Sequence, residues 1–150
     1  MIRTFTLSIA ILLGSLPGAV FAFGGDSAPI NTNPLTAKAR LQPSQLEPGQ
    51  TADLFIDLNL AGDYHAYEDK FKLVIVEPTG IKLGDIKLSP IVQFKDTVSK
   101  SMKNGVKGDA RATALIEVGN LGMGDHVLKM KLTYQACTTE YCLFPKKVPV

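Results

Sequence analysis

Thr51-Ala52-Asp53-Leu54-Phe55-Ile56-Asp57-Leu58-Asn59-Leu60 is the stretch that decides the fold. Ala52, Leu54, Ile56, Leu58 and Leu60 recur at every second position, with Asp53, Asp57 and Asn59 between them. An extended chain with that spacing has an apolar face and a polar face, whereas a helix would scatter the same side chains around its axis. The alternation returns in Ala110, Ala112, Ala114, Ile116 and Val118, and again in Leu128, Met130, Leu132, Tyr134 and Ala136, within a long strand expected from His126 to Cys137.

Working outward, turn chemistry separates further short runs. Thr36 to Leu41 alternates Ala37, Ala39 and Leu41 with Lys38 and Arg40, and Glu47-Pro48-Gly49-Gln50 makes a turn. Tyr64-His65-Ala66-Tyr67 leads into the β-branched run Phe71 to Val76, which Glu77-Pro78-Thr79-Gly80 ends. Ile81 to Leu88 reads as one strand or two, interrupted at Gly84-Asp85, and Val148 and Val150 sit where an edge strand closes the domain. Ser89 to Gly108 lacks sustained periodicity, contains Lys95, Lys100, Lys103 and Lys107, and reads as a long loop with room for one edge strand. Roughly seven or eight strands with turn signals about every ten residues predict an all-β fold, an immunoglobulin-like antiparallel β-sandwich.

The N-terminus reads as an export signal. Arg3 precedes an apolar stretch from Phe5 to Leu16, too short to span a bilayer, and Pro17-Gly18 and Val20-Phe21-Ala22 follow. Cleavage after Ala22 gives a signal peptide at 1–22, a flexible leader rich in Gly, Pro, Asn and Ser at 23–35, and one domain at 36–150. No cysteine stands directly after the apolar stretch to take a lipid anchor, so a soluble exported product is expected. The net charge of +2, with basic residues scattered along the chain, argues against nucleic acid as a partner.

An oxidising compartment makes the two cysteines the main chemical question. Cys137 and Cys142 flank Thr138-Thr139-Glu140-Tyr141. By strand parity Cys137 lies with Lys129, Lys131, Thr133 and Gln135 on the polar face and looks outward, with Cys142 across a hairpin mouth. Closing so small a ring is worth only about 2 kcal/mol of chain entropy. Spacing and parity leave two readings open, a structural staple and a redox-active disulfide. No histidine or methionine follows either cysteine, so the blue-copper ligand pattern is missing and no metal is assigned. No nucleophile elbow or other hydrolase signature is visible.

Tyr134-Gln135-Ala136-Cys137, a short polar insert, Cys142, Leu143-Phe144, Pro145 and then Val148-Pro149-Val150 closely resembles the end of the N-terminal periplasmic domain of the DsbD family of thiol:disulfide interchange proteins. Gly62-Asp63-Tyr64-His65-Ala66-Tyr67-Glu68-Asp69-Lys70-Phe71 is similar to that family's segment preceding the strand that faces its cysteine pair, and the resemblance covers roughly Leu35 to Val150. It implies an immunoglobulin-like domain in the periplasm that takes reducing equivalents from a membrane-embedded thiol donor. The recipients it implies are periplasmic thioredoxin-like proteins such as disulfide isomerases or cytochrome c maturation factors. No cofactor beyond the redox-active disulfide is implied. By position, Cys142 forms the mixed disulfide and Cys137 resolves it, His65 and Tyr67 line the site, and Phe94, within Pro90 to Ser101, is the capping aromatic. Val92-Gln93 stands where acidic residues often precede that aromatic. The family's membrane-embedded and C-terminal thioredoxin-like parts are absent from this sequence, which fits a stand-alone homologue or one end of a longer protein. The reading of a different class is a non-catalytic sandwich that binds another exported protein, its disulfide serving as a hairpin clip.

Overall fold

The computed structural model describes residues 31–96 and 98–150, so the expected signal peptide at 1–22 and the leader as far as residue 30 lie outside the described residues. In chain order the strands are β1 (Leu35–Gln42), β2 (Thr51–Leu60), β3 (His65–Tyr67), β4 (Lys72–Glu77), β5 (Ile81–Leu83), β6 (Lys87–Ser89), β7 (Val92–Lys95), β8 (Met102–Lys107), β9 (Asp109–Val118), β10 (Lys129–Tyr134), β11 (Ala136–Cys137) and β12 (Lys146–Pro149). One short 3-10 turn, Glu68–Lys70, follows β3.

The two longest alternating runs lie side by side. β2 pairs antiparallel with β9 from Thr51↔Glu117 to Asn59↔Asp109, β1 covers the other edge of β2, and β5 and β6 both pair with β9. A second sheet, ordered β12-β10-β4, is antiparallel throughout. Ala52, Leu54, Ile56, Leu58 and Leu60 from β2, Ala112 and Ile116 from β9, Leu73 from β4, and Met130, Leu132 and Tyr134 from β10 are buried in one apolar cluster. The polar face stays in solvent, where Arg111 Nε donates to Asp57 Oδ1 at 2.7 Å and the Arg40 guanidinium lies 4.4 Å from the Phe55 ring centroid. Exposed pairs of this kind each contribute under about 1 kcal/mol, so the apolar rows hold the sheets together.

A third sheet, ordered β11-β3-β8-β7, occupies the end where β2 finishes and β9 begins. Two chain passages join it to the others: β8 runs through Gly108 into β9, and β10 runs through Gln135 into β11. Two expectations change here. Ser89 to Gly108 is a hairpin and not a long loop, because β7 pairs with β8 from Val92↔Gly105 to Lys95↔Met102. Its periodicity is faint because it is an edge hairpin, with Val92 and Met102 exposed and a glycine, Gly105, interrupting β8. The expected strand from His126 to Cys137 begins at Lys129 and is split at Gln135, whose Nε2 donates to the Leu143 carbonyl at 3.1 Å. The strand count exceeds the expected seven or eight because elements of two to four residues are too short to show a period.

Residues 33–35, expected as the end of the leader, pack against the domain. Pro34 and Leu35 are buried, the Pro34 carbonyl accepts from Ala61 N at 2.9 Å, and Tyr134 Oη donates to Asn33 Oδ1 at 2.9 Å.

Adjacent residues of β9 test the strand reading directly. Ile116 is 1% exposed and Leu115 is 53% exposed. Ile116→Ala should cost about 2–5 kcal/mol in urea unfolding, and Leu115→Ala should stay within about 0.5 kcal/mol. Equal losses would mean that the alternation does not set the core.

Candidate functional site

The third sheet places its side chains by register. Cys137 of β11 lies opposite His65 of β3, and His65 lies opposite Lys107 of β8; Tyr67 lies opposite Gly105, and Phe94 of β7 opposite Lys103. Directly opposed residues in antiparallel strands share a face, and so do residues two apart along one strand. Cys137, His65, Tyr67, Lys107, Gly105, Lys103 and Phe94 therefore occupy one face. Ala136, Ala66 and Val106 occupy the other, fully buried against the core.

Parity thus points Cys137 away from the core, as the sequence suggests, but the residue does not reach solvent. It is 0% exposed. Three aromatic groups meet on the same face. The Phe94 ring stacks on the His65 imidazole at 4.3 Å between centroids and 16° between planes, and Tyr67 meets the same imidazole edge-on at 5.2 Å. Gly105 lets β8 lie close against β3 beneath this layer, since a Cβ there would collide with the Ala66 carbonyl oxygen.

Cys137 and Cys142 form a disulfide with 3.9 Å between their Cα atoms, and the two residues also form an isolated antiparallel bridge. Cys142, unlike Cys137, is exposed. The intervening turn is wound around Thr138, whose N–H donates to the Tyr141 carbonyl at 2.8 Å and whose Oγ1 accepts from Glu140 N and Tyr141 N, both at 3.2 Å. Leu143 N donates back to the Ala136 carbonyl at 2.8 Å. All five residues expected at the site, Cys137, Cys142, His65, Tyr67 and Phe94, thus lie on this sheet or in the turn attached to it.

Electrostatics separate the buried layer from its rim. His65 is 5% exposed, and burial, assisted by the Lys107 charge and opposed by Asp96, lowers its pKa below the ordinary imidazole value. Among the described residues, His65 Nε2 and Tyr67 Oη are buried without a hydrogen-bond partner. Asp96 closes the β7–β8 turn: its Oδ1 accepts from Val98 N at 3.0 Å, Ser99 N at 2.6 Å and Ser99 Oγ at 2.9 Å, and Lys103 Nζ lies 3.1 Å from Oδ2. Those bonds, led by the Ser99 amide, hold the Asp96 carboxyl far below the usual carboxylate range. Lys103 Nζ also sits 5.2 Å from the Tyr67 ring centroid.

A cleft of about 700 Å³, lined by His65, Phe94, Lys95, Lys107 and Thr139 among others, opens beside the layer. A smaller cavity of about 460 Å³, lined by Leu41, Leu46, Ile81 and Leu128 among others, lies at the other end of β9. Among the described residues, no group of three or more His, Cys, Asp or Glu is placed to hold a metal ion.

Sequence reasoning missed Tyr64, Tyr141, Asp96, Lys103 and Gly105. Asp96 had a local signal, because an aspartate three residues before a serine suits a side-chain-capped turn. The others depend on register between distant strands and had none.

The sequence matches the family described as thiol:disulfide interchange protein DsbD, N-terminal, over residues 32–148. No curated protein matches the chain. Among solved structures, the N-terminal domain of DsbD from Neisseria meningitidis in its reduced form superposes with a TM-score of 0.57 at 16% identity, covering 79% of this chain and 84% of that one. That likeness shows the immunoglobulin-like fold. The GAE domain of GGA2p from Saccharomyces cerevisiae gives a TM-score of 0.41 at 12% identity, with 77% of this chain and 86% of that one covered. With the match spanning nearly all of the described residues, the chain belongs to the family of the N-terminal domain of the thiol:disulfide interchange protein DsbD.

Proposed function

We propose that this domain is a periplasmic thiol:disulfide relay, delivered behind the signal peptide at 1–22, that passes reducing equivalents from a membrane-embedded thiol donor to oxidised thioredoxin-like proteins. The observation that carries this reading is the unequal exposure of the two cysteines: Cys142 is exposed and Cys137 is sealed. A hairpin staple needs no such asymmetry, whereas a two-step exchange needs one sulfur to meet the partner and a second held behind it.

In the reduced domain the Cys142 thiolate attacks one sulfur of the partner disulfide, forming a mixed disulfide and expelling the other partner sulfur as a thiolate. The Cys137 thiolate then attacks Cys142 Sγ, closing the Cys137–Cys142 bond and releasing the second partner thiolate. Two electrons pass to the partner, and the two protons lost by the cysteines go to the partner's thiols. The membrane donor reverses these steps on the domain. His65, neutral and on the same face as Cys137, is the group suited to take the Cys137 proton, and Phe94 excludes stray thiols. Tyr67 supports the imidazole edge-on.

Trapping distinguishes the relay from the staple. Cys137→Ala should accumulate a mixed disulfide with an oxidised thioredoxin-like protein on a non-reducing gel, and Cys142→Ala should yield almost none because its remaining thiol is buried. Equal trapping by both variants, or none above a random-thiol control, would return the pair to a structural clip.

His65 also sets a pH dependence. Because its folded pKa is depressed, the unfolded chain binds a proton below the ordinary value of about 6.5 while the folded chain resists doing so. Stability is therefore fully present above that value and is lost as the pH falls through it towards the depressed folded value. The urea midpoint should drop between about pH 7.5 and about pH 5.5, and drop less in His65→Gln. The same drop in both proteins would remove His65 as its source.

A further inference from the structure

The turn between the cysteines carries a contact that the relay chemistry does not use. Tyr141, directly before Cys142, and Tyr64, directly before His65, bring their hydroxyl oxygens to 3.0 Å across 77 residues of sequence. Their rings meet edge-to-face at 6.4 Å between centroids and 83° between planes. Tyr64 is 7% exposed and Tyr141 37%, so a fixed phenol in the body of the domain holds a phenol at the rim. The hydrogen bond, with burial, raises the Tyr64 pKa to about 12, which keeps that hydroxyl protonated through neutral pH.

We infer that Tyr64 and Tyr141 are a positioning pair that keeps Cys142 beside Cys137 when the disulfide between them is open. This deepens the relay reading and rests on it. The bonds around Thr138 shape the turn from within, but they join residues inside one short segment. The tyrosine bond ties that segment to the start of β3, the strand on which Cys137 is paired. In the oxidised domain the disulfide and the tyrosine bond restrict the same few residues. In the dithiol, and in the mixed disulfide through Cys142, the covalent restraint is gone and the tyrosine bond continues to limit the turn.

Two restraints on one loop reinforce each other, and the coupling is reciprocal: closing the disulfide favours the tyrosine contact, and the contact favours closing. Without either hydroxyl the open form gains freedom that the closed form cannot, so the equilibrium moves towards the dithiol. One hydrogen bond at a partly exposed site sets the scale of the shift.

The test equilibrates the purified protein with glutathione and its disulfide at graded ratios, then alkylates and counts free thiols. Tyr141→Phe and Tyr64→Phe should each lower the equilibrium constant for ring closure about fivefold, which is about 20 mV less negative at ~30 mV per tenfold. The double variant should shift no further than either single one, because both remove the same bond. Phenylalanine keeps each ring, and the urea midpoints of the oxidised proteins report folding. Should the more buried Tyr64→Phe fold poorly, Tyr141→Phe alone still decides the matter. Midpoints unchanged within twofold, or single shifts that add in the double variant, would overturn the positioning role. A shift with glutathione in a protein that traps no partner through Cys142 supports the pair and refutes the relay. Trapping with no shift supports the relay and overturns the pair.

Discussion

The backbone pairing of Ala136–Cys137 with His65–Ala66 is the constraint on which the rest of the site depends. β10 belongs to the sandwich up to Tyr134, and one residue later the chain has joined a different sheet. Had β10 continued straight, Cys137 would project from the β12-β10-β4 sheet with the lysines of its polar face. The switch at Gln135 turns the residue instead onto a sheet whose outward face already holds His65, Tyr67 and Phe94. Ala136 anchors the move from beneath, packing with Ala66 and Val106, where larger side chains would keep the third sheet off the core.

That placement gives an imidazole and a phenol an environment such groups usually avoid. Buried polar atoms are ordinarily hydrogen-bonded, and leaving one unpaired costs about 1–3 kcal/mol. His65 Nε2 and Tyr67 Oη are two such atoms in neighbouring side chains on the cysteine face. A fold with nothing but a staple to protect gains nothing from keeping them so. The proposed relay gives such groups a use, since perturbed titratable groups cluster at functional sites.

The sandwich was legible because its strands are long. β2 and β9 each alternate over ten residues, enough for a period of two to be unmistakable, and the rows it marks are the rows that are buried. The third sheet was obscure because β3, β7 and β11 have three, four and two residues, and pairing rather than pattern defines them. The cysteines stood out by themselves, and His65, Tyr67 and Phe94 came from the likeness to a family, whereas the sealing of Cys137 required knowing what lies across from it. Parity gives a side chain's direction and says nothing of what covers it. Tyr64 and Tyr141 were hidden for the same reason, since 77 residues separate two phenols that touch.

The Asp96 turn closes the hairpin that carries Phe94. Three donors from the turn and one from β8 converge on a single buried carboxylate, so one side chain gathers the bonds that shape the β7–β8 turn. Phe94 sits on the strand that leads into this turn, opposite Lys103 of β8, and β8 is itself paired with β3, so one ladder holds Phe94 beside His65. Separating the two rings by moving the hairpin would break backbone pairing between β8 and β3 as well, whereas rotating the Phe94 side chain alone would break none.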